Sequence, residues 1–492
     1  MFIRKKKNKS GSVSIQIIKK SNGKYQVVKT LGSSKEELEI EALIRQASFL
    51  IPNLLKQKKF DFGPKGNDKI IFDFLKHDKT INIYTVGPEL VLGKIFDSMG
   101  FNTIPEALFK EIVLARLVFP VSKLKTVDYL AQSKGIQVNV KQIYDFLDRF
   151  NKKHQSTVEK LSYEHTKKIL NNISIVFYDM TTLYFEAEDE DDLRKIGFSK
   201  DGKFQCPQIM LGLLIGENAY PIGYDIFEGN RFEGHTLIPV LESMQKKYDF
   251  TKPIVVADAG LLSKENIKKL TEKEYEFILG ARIKNESKEI EFEILKNANG
   301  MKDGDTFIIS KKDDTKLIIS YADNRAKKDA HNREKGLKKL ELKVNSGKLT
   351  KESINNQGYN KFLSLDGEIK ISIDQDKVIY DKQWDGLKGY LTNTKLEAKN
   401  VINHYRHLWQ IEKAFRISKT DLRIRPIFHY KKRRIESHIC LSFVAYAIWK
   451  EFERLLLKEK INLSPTKAIE LLKTIYEIHL TLPDSGKKEK IL

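Results

Sequence analysis

The pattern of apolar and polar positions begins as alternation and then changes along the chain. Two alternating runs lie within residues 11–31, on either side of Asn22 and Gly23. A period of two around an Asn-Gly pair predicts a β-hairpin. Short helices that follow one another form either a helix-turn-helix DNA reader or a plain bundle, and we favour the bundle slightly. Apolar residues at helical spacing predict such helices in residues 34–51, 107–119, 122–132 and 140–154.

Beyond residue 173 the apolar runs become short and continuous, which is typical of buried strands. Helices are predicted between them at 235–248 and at 263–274, the second with Ser263 as its N-cap. Strands followed by alternating helices and strands indicate a mixed α/β layer. The predicted strands lie in residues 173–186, on both sides of 216–218, in 252–260 and in 275–283.

A highly charged segment follows at 286–390, with short alternating runs such as 305–310 and 377–381. We expect a β-rich insertion there. Helical spacing returns in residues 395–422. The patterns predict a hairpin-and-helix region, a sheet-based core in two parts around the insertion, and a helical tail, with boundaries at 1–165, 166–285, 286–390, 391–450 and 451–492.

The chain carries a formal charge of +21, from 87 basic and 66 acidic residues among 492. A basic excess of this size favours a polyanionic partner, usually nucleic acid. The chain is also rich in Lys, Ile and Asn, and an AT-rich genome raises the lysine content without any function behind it. The charge is therefore supporting evidence only.

The cysteine and hydropathy patterns restrict the setting of the protein. Cys206 and Cys440 are far apart and belong to no CxxC pair, which argues against a disulfide framework and a cysteine zinc site. No run of about eighteen apolar residues predicts a membrane span. The basic residues 1–12 lack the apolar stretch of a secretory signal behind them. We expect a soluble, cytoplasmic protein.

Two of the predicted buried strands carry an acid where their apolar run ends. Asp179 follows an apolar run ending at Tyr178, and Asp258 follows four apolar residues and precedes Ala-Gly. Two such carboxylates on adjacent strands repel each other unless a cation lies between them. Mg²⁺ suits carboxylate and phosphate oxygens. On these residues alone, ordinary strand-end acids that cap turns remain the more common case.

A third acid is expected from the helix predicted at 395–422. Glu412 lies in a stripe at helical spacing that is mostly apolar and aromatic, where a lone charge is costly without a partner. A metal shared with the two aspartates would supply that partner, and so would a salt bridge to Arg406 or Arg416. The other acids that compete for this role are Asp225, Glu228, Asp323 and Glu397.

These acids resemble those of bacterial insertion-sequence transposases of the DDE type, in the group with a Y-x2-R-x3-E-x6-K signature. Tyr405, Glu412 and Lys419 match the signature, whereas Leu408 stands at its arginine position. The resemblance spans roughly residues 85–450. Blocks similar to one branch of this group are RLVFPVSKLKT, GFSKDGKFQCPQIMLGLL, FEGNRFEGHTL, VVADAGLLSKENI, FILGARIKN, DGLKGYLTNT and LRIRPIFHYKKRRIESHICL.

The resemblance implies an RNase H-like core with Asp179 on its first strand, Asp258 on its fourth strand and Glu412 on a late helix. It makes these three acids the catalytic residues and the ligands of two Mg²⁺ ions, which Mn²⁺ can replace. The reaction it implies is in-line displacement at DNA phosphodiesters. Water nicks the transposon end, and the freed 3′-hydroxyl then attacks target DNA, with a hairpin intermediate in related enzymes.

The same resemblance implies that basic residues around and after the third acid contact DNA phosphates, which sets affinity and register. The alternative for each is a solvated helix face. Arg406 or Arg416 could replace the missing signature arginine. The candidate DNA-binding residues are Tyr405, Arg406, Arg416, Lys419, Arg423, Arg425, Lys431, Lys432 and Arg433.

The partners implied are double-stranded DNA, both transposon ends and target, and a second copy of the chain that joins the two ends. No membrane and no small-molecule substrate is expected, and a bacterial, nucleoid-associated location follows. Two other functions remain open on the sequence. One is a metal-dependent nuclease without strand transfer, and the other is a non-catalytic DNA-binding regulator derived from a transposase.

Overall fold

The computed structural model describes residues 1–21, 23–54, 81–248, 252–261, 263–311, 314–346, 349, 353–355, 358–366, 370–481 and 487–492. The chain forms two compact units, and each is described by itself. The first comprises Met1–Ile81 and Thr481–Lys487, and the second comprises Asn82–Leu480 and Lys488–Leu492.

The first unit is an antiparallel sheet covered by one helix. Its elements are β1 (Phe2–Lys7), β2 (Val13–Ser21), β3 (Lys24–Ser34) and α1 (Glu37–Leu54), with the strands in the order β1-β2-β3. Ile15 and Ile17 alternate on the buried face of β2 and pack with Ala47 of α1. The predicted hairpin is confirmed by the pairing of Ser21 with Lys24, although Asn22 lies outside the described residues.

The helices of the second unit are α2 (Lys94–Ser98), α3 (Ala107–Val118), α4 (Lys123–Lys134), α5 (Val140–Lys153), α6 (Gln155–Leu170), α7 (Leu237–Lys247), α8 (Lys264–Glu272), α9 (Lys288–Ala298), α10 (Asp323–Asn345), α11 (Gln375–Lys382), α12 (Ala398–Arg406), α13 (Trp409–Arg416), α14 (Lys432–Lys458) and α15 (Pro465–Leu472). Its strands are β4 (Ile81–Thr85), β5 (Ile175–Tyr184), β6 (Gln208–Ile215), β7 (Pro221–Glu228), β8 (Ile254–Ala257), β9 (Phe277–Ala281), β10 (Thr306–Ser310), β11 (Lys316–Tyr321), β12 (Leu363–Asp366), β13 (Lys370–Ile373), β14 (Leu387–Thr392), β15 (Tyr476–Thr481) and β16 (Lys488–Ile491). Short 3₁₀ or π turns lie at Glu89–Gly93, Phe101–Thr103, Glu217–Ala219, Glu233–His235, Ile283–Asn285, Gly358–Phe362 and Ile417–Asp421.

The predicted helices before residue 165 are confirmed, and their ends follow ordinary capping chemistry. The Ser122 hydroxyl accepts from the Lys125 N–H at the start of α4. Asn139 and Gln142 form a capping box at the start of α5. Helices α3, α5 and α6 pack against the long buried helix α14. The sequence pattern had not predicted α6.

The core is an eight-stranded sheet in the order β10-β11-β14-β9-β8-β5-β6-β7. Strands β5, β6 and β7 form an antiparallel meander, and β8 and β9 continue from β5 in parallel. Helices α7 and α8 are the connections into β8 and β9. This order is that of an RNase H-like sheet, so the predicted fold class is confirmed. Strands β14, β11 and β10 extend the sheet beyond β9 in antiparallel fashion.

Strand β5 divides the core between the two faces of the sheet. Its odd-numbered residues Ile175 and Phe177 belong to the cluster that includes α12, α13 and α14. Its even-numbered residues Val176 and Tyr178 belong to the cluster that includes α7. Asp179 has the parity of Phe177 and therefore lies on the face that α12 and α13 cover.

The expectation of a β-rich insertion at 286–390 is wrong. Among its described residues, helices α9, α10 and α11 contribute more residues than the strands do. The run 377–381, which looked like a strand, lies in α11. Helix α10 fully buries only Arg333, Gly336 and Leu340. Too few apolar positions therefore mark its helical period among the charged residues. Its Lys, Glu, Ala and Leu residues are nonetheless good helix formers.

The bounds of these elements do not test the predicted division of the chain into five parts, which stays a prediction. Its boundaries at 165/166 and 450/451 fall inside helices α6 and α14. Among the described helices, none is both long and apolar enough to cross a bilayer.

Candidate active site

Asp179 lies in the middle of β5, not at its end as the sequence suggested. Strand β5 continues to Tyr184, paired with β6 throughout. Its other neighbour, β8, stops at Ala257, which pairs with Tyr178. From Asp179 to Tyr184, β5 therefore has no described strand on that side, and we call this gap in the sheet the notch. The Asp179 carboxylate lies where the notch begins, and its side chain is 21% exposed.

Asp258 is the first residue after β8, so the two aspartates lie one register step beyond the last pair of adjacent parallel strands. The Gly260 N–H donates to Asp258 Oδ1 at 2.8 Å. A Cβ on Gly260 would lie 3.0 Å from the same oxygen. The small residue after the acid thus lets the backbone turn back onto the carboxylate and fix it.

The notch concentrates negative charge. Burial raises the pKa of Asp179 to about 6, against the lowering effects of Lys200 and of the Met180 N–H; the carboxylates of Asp258 and Glu233 add further increases. The raised pKa therefore reflects mainly the removal of this carboxyl group from water, with a smaller contribution from the neighbouring acids.

Lys200 and Glu233 complete the notch, and sequence reasoning missed both. The Lys200 ammonium lies 3.7 Å from Asp179 Oδ1, donates to Met180 O at 2.7 Å and pairs with Glu233 Oε1 at 2.5 Å. Burial lowers the pKa of Lys200, but its three carboxylate neighbours outweigh this and the pKa is raised. Both residues lie outside regular strands, within sequence blocks 197–214 and 227–237, which carried the resemblance but had no assigned chemistry.

Tyr405 connects Asp258 to the helix that carries Glu412. Its phenol oxygen would be 2.4 Å from a Cβ on Gly280, so it lies directly over β9. Burial raises the pKa of Tyr405, and the charges of Asp258 and Glu412 raise it further. The Lys388 ammonium lies 4.3 Å from the centre of the Tyr405 ring. Tyr405 is thus a buried member of the site and not an exposed stacking residue.

Glu412 lies on α13, but its environment differs from the one predicted. The stripe on which it was placed is broken, because α12 ends at Arg406 and α13 begins at Trp409. The buried face of α13 is Ile411, Ala414 and Phe415, and Glu412 is exposed. The argument that a buried charge needs a metal partner therefore does not hold for Glu412. Helix α13 does pack against β5, on the face that Asp179 shares.

A divalent cation suits the two aspartates. Their hard carboxylate oxygens, and the raised pKa of Asp179, fit an ion that would relieve the repulsion between them. Within the described ranges, no three His, Cys, Asp or Glu side chains converge as a metal-binding group. Asp179 and Asp258 lie close enough for the charge of Asp258 to raise the pKa of Asp179.

The competing acids have other partners. Asp225 accepts from Ser243 and faces Lys247, and Glu228 pairs with Arg231. Asp323 is the first residue of α10, and Glu397 is the N-cap of α12. None of these contacts joins them to Asp179 or Asp258.

The predicted DNA-binding residues fall into two groups. Lys419 and Arg425 both pair with Asp201, at 3.2 and 3.3 Å, and Arg433 pairs with Asp148 at 2.8 Å. Those three charges are already compensated. The members of the second group are exposed and form no ion pair within the described part of the chain: Arg406, Arg416, Arg423, Lys431 and Lys432.

A comparison with known protein families identifies the family of this chain. The sequence matches the transposase DDE domain over residues 171–448. The chain belongs to this family. The match begins just before β5 and ends inside α14, so it contains the notch, Tyr405 and α13. DDE transposases cleave and join DNA and normally use divalent metal ions. The prediction of a DDE transposase is confirmed, whereas the bacterial insertion-sequence group and its signature stay predictions.

Two solved transposase structures are similar at a low level. A piggyBac transposase synaptic complex with hairpin DNA has 10% identity and a TM-score of 0.38, covering 85% of this chain and 74% of that one. A Mos1 transposase paired-end complex with the left transposon end has 11% identity and a TM-score of 0.16, covering 48% and 66%. Neither similarity carries an argument here. No curated protein matches the chain.

Proposed function

We propose that this DDE transposase binds the terminal inverted repeats of its own insertion sequence and catalyses metal-dependent cleavage and strand transfer by a cut-and-paste route. The observation that carries the proposal is the pair Asp179 and Asp258. Asp179 lies on β5 and Asp258 directly follows β8, the adjacent parallel strand, and burial raises the pKa of Asp179. Such a pair suits chemistry at a phosphodiester, where developing negative charge must be neutralised.

Asp179 and Asp258 would hold the metal, and we propose Glu412 as the third ligand. Helix α13 packs on β5, and the charge of Glu412 reaches the same Tyr405 phenol as the charge of Asp258. Two Mg²⁺ ions, or Mn²⁺ in their place, would activate the attacking oxygen and stabilise the leaving oxygen. Glu233 is the rival third ligand, because its charge acts on Asp179 directly.

The remaining residues of the site bind and orient. Lys200, held by Met180 O and Glu233, keeps a positive charge beside Asp179. The exposed cations Arg406, Arg416 and Lys432 would contact DNA phosphates and set the register of the duplex. Joining two transposon ends requires two active sites, so we propose that the protein acts as a homodimer in the bacterial cytoplasm.

The test is cleavage of labelled duplex DNA that carries the inverted repeats flanking the gene. We expect the wild-type protein to cut at the repeat boundary with Mg²⁺ and not with EDTA. Asp179→Asn and Glu412→Gln should abolish cutting, with Glu397→Gln as the matched control from the neighbouring helix. If Glu233→Gln abolishes cutting and Glu412→Gln does not, the third ligand is Glu233.

The products decide between the three functions left open by the sequence. Joined strands with a second duplex would establish transposition. Cleavage without any joined product would support a nuclease. Binding to the repeats with no cleavage under any divalent metal would support a regulator and contradict the proposal.

A further inference from the structure

A cavity of about 550 Å³ lies within the second unit. Its walls come from the start of α4, from Tyr144 on α5, from residues 423–429 and from His438 on α14. Its described lining contains five Arg or Lys side chains and two His side chains, and none of that lining is an Asp or a Glu. The lining is therefore electropositive without an internal counter-charge.

Lys123 is the unusual residue of this cavity. Its side chain is only 7% exposed, and the described residues offer it neither an ion pair nor a hydrogen bond. Burial lowers the pKa of Lys123 well below its usual range, and the nearby charge of Arg116 lowers it further. Buried charged groups in folded proteins are ordinarily paired. Lys123 lines the cavity, so an anion that enters the cavity could supply this partner and favour the protonated form of Lys123.

Arg116 is fixed beside Lys123 by three neutral acceptors. It donates through Nη1 to Leu422 O at 3.3 Å and to Arg423 O at 3.0 Å. His438 Nε2 lies 2.8 Å from Ile424 O, which makes Nε2 the protonated nitrogen and leaves Nδ1 to accept from Arg116 Nη2 at 3.4 Å. No acid neutralises the guanidinium in this arrangement, so its charge remains available to the cavity.

The N-terminus of α4 also favours an anion in this cavity. Helix α4 has 12 residues and is capped by Ser122. The Ser122 hydroxyl accepts from the Lys125 N–H, whereas the N–H groups of Lys123 and Leu124 have no intrahelical acceptor. The helix dipole adds partial positive charge there. A buried unpaired ammonium beside a helix N-terminus is the combination that binds phosphate groups.

The rim of the cavity is open to solvent and combines charge with apolar surface. Lys125 and Arg423 are exposed cations, and Leu124 and Phe428 are 63% and 53% exposed. Arg423 has φ +46°, a left-handed conformation that costs free energy in a non-glycine residue and concentrates at binding sites. The buried floor and the exposed rim together form an entrance for a ligand that carries a phosphate.

We propose that this cavity binds a phosphate group through Lys123, Arg116 and the N-terminus of α4. Two sources of that group share the chemistry, namely a backbone phosphate of DNA and a free phosphate anion. The DNA source rests on the proposed function, since it requires that the protein bind a duplex. A DNA phosphate bound in this cavity would also lie near Arg423 and Arg425, which line it.

The test compares Lys123→Met with the wild-type full-length chain. We expect inorganic phosphate, at constant ionic strength, to raise the Tm of the wild type. Lys123→Met should raise the Tm without phosphate, because it removes a buried polar group that has no partner among the described residues, and should abolish the phosphate-dependent increase. Lys450→Met is the matched control, because Lys450 is equally buried but paired with Glu453. It should keep the phosphate-dependent increase.

A duplex-binding measurement separates the two sources. If the group is a DNA phosphate, Lys123→Met should reduce the slope of log K against log salt by about 1. An unchanged slope with a lost phosphate response supports the cavity and assigns it to a free anion. A Lys123→Met protein that responds to phosphate as the wild type does overturns the proposal, whatever the cleavage assay shows. If Lys123→Met does not fold, Lys123→Gln and ³¹P line broadening with wild type give the same decision.

Discussion

The phenol oxygen of Tyr405 lies in space that only a glycine leaves open. Gly280 on β9 would, with a Cβ, approach that oxygen to 2.4 Å and the Ala259 backbone nitrogen to 3.0 Å. Because Ala259 follows Asp258, such a Cβ would also crowd the loop that carries the second aspartate. A side chain at Gly280 would therefore disturb both.

Gly280→Ala is expected to reduce the free energy of unfolding by about 1–3 kcal/mol, the usual cost of overpacking. Urea unfolding followed by circular dichroism measures it. Adding Tyr405→Phe to Gly280→Ala removes the clashing oxygen and should recover part of the loss. A double variant as unstable as the sum of the two single variants would contradict this explanation.

Glu451 supplies the clearest pH dependence among the buried acids. It accepts hydrogen bonds from Nε and Nη2 of Arg454, and Oε2 lies 3.5 Å from His165 Nε2. Burial raises its pKa, but the hydrogen bonds from Arg454 and the proximity of His165 outweigh burial and lower the pKa to about 2. A lowered carboxyl pKa stabilises the fold above the unfolded-state value of 4.5. That stabilisation is lost as the pH falls towards 2.

Glu451→Gln is therefore expected to cost about 1–3 kcal/mol of unfolding free energy at pH 7, the range for hydrogen bonds to charged groups. The difference from wild type should shrink steadily below pH 4.5, because the wild-type carboxyl then becomes protonated. Urea unfolding at a series of pH values tests this. A difference that stays constant down to pH 3 would show that the charge of Glu451 is not responsible.

At the scale of elements, the sequence predicted what local periodicity encodes. The hairpin, helices α3 to α5 and strands β5 to β9 all follow from apolar spacing, because each buries one face or both. The unpaired edge of β5 beside Asp179 was not visible, since it depends on where β8 ends. The pairing of Lys200 with Glu233 was not visible either, because two loops must return to one point.

Helix α10 is the element that the sequence pattern missed most completely, and a buried ion pair is one of the contacts that hold it. Arg333 is 8% exposed and forms two hydrogen bonds with Asp385, at 2.6 and 2.5 Å. Asp385 follows α11, so the pair joins α10 to the end of the segment that leads into β14. The buried Arg333–Asp385 pair and a small apolar cluster around Leu340 thus fix this helix together.

Arg333→Met should destabilise the protein by about 3–5 kcal/mol, because it leaves the Asp385 carboxylate largely buried and without its arginine. Arg333→Met combined with Asp385→Asn should recover much of that loss, since no uncompensated charge remains. Chemical unfolding of the three variants tests the pair. Equal stability of the single and double variants would mean that the lost packing of Arg333, and not the charge, accounts for the effect.

At the scale of the whole molecule, the basic residues behind the charge of +21 are not equally available to bind DNA. Lys419, Arg425 and Arg433 are neutralised by Asp201 and Asp148, whereas Lys431 and Lys432 are exposed and form no ion pair among the described residues. Sequence alone could not separate the two groups, because the acids that pair with them lie more than 200 residues earlier. The proposed duplex contacts should therefore come from the second group.

Lys432 and Arg433 give a matched test, because they are adjacent at the start of α14 and differ in pairing. Lys432→Gln should reduce the slope of log K against log salt for duplex binding by about 1, as expected when one phosphate contact is lost. Arg433→Gln should change the slope less, because in the wild type its charge is already shared with Asp148, and Arg434 still pairs with that acid afterwards. Fluorescence anisotropy of a labelled duplex across a salt series measures both slopes. Equal reductions would mean that DNA displaces Asp148 from Arg433, so that the ion pair is a resting contact that opens when the duplex binds.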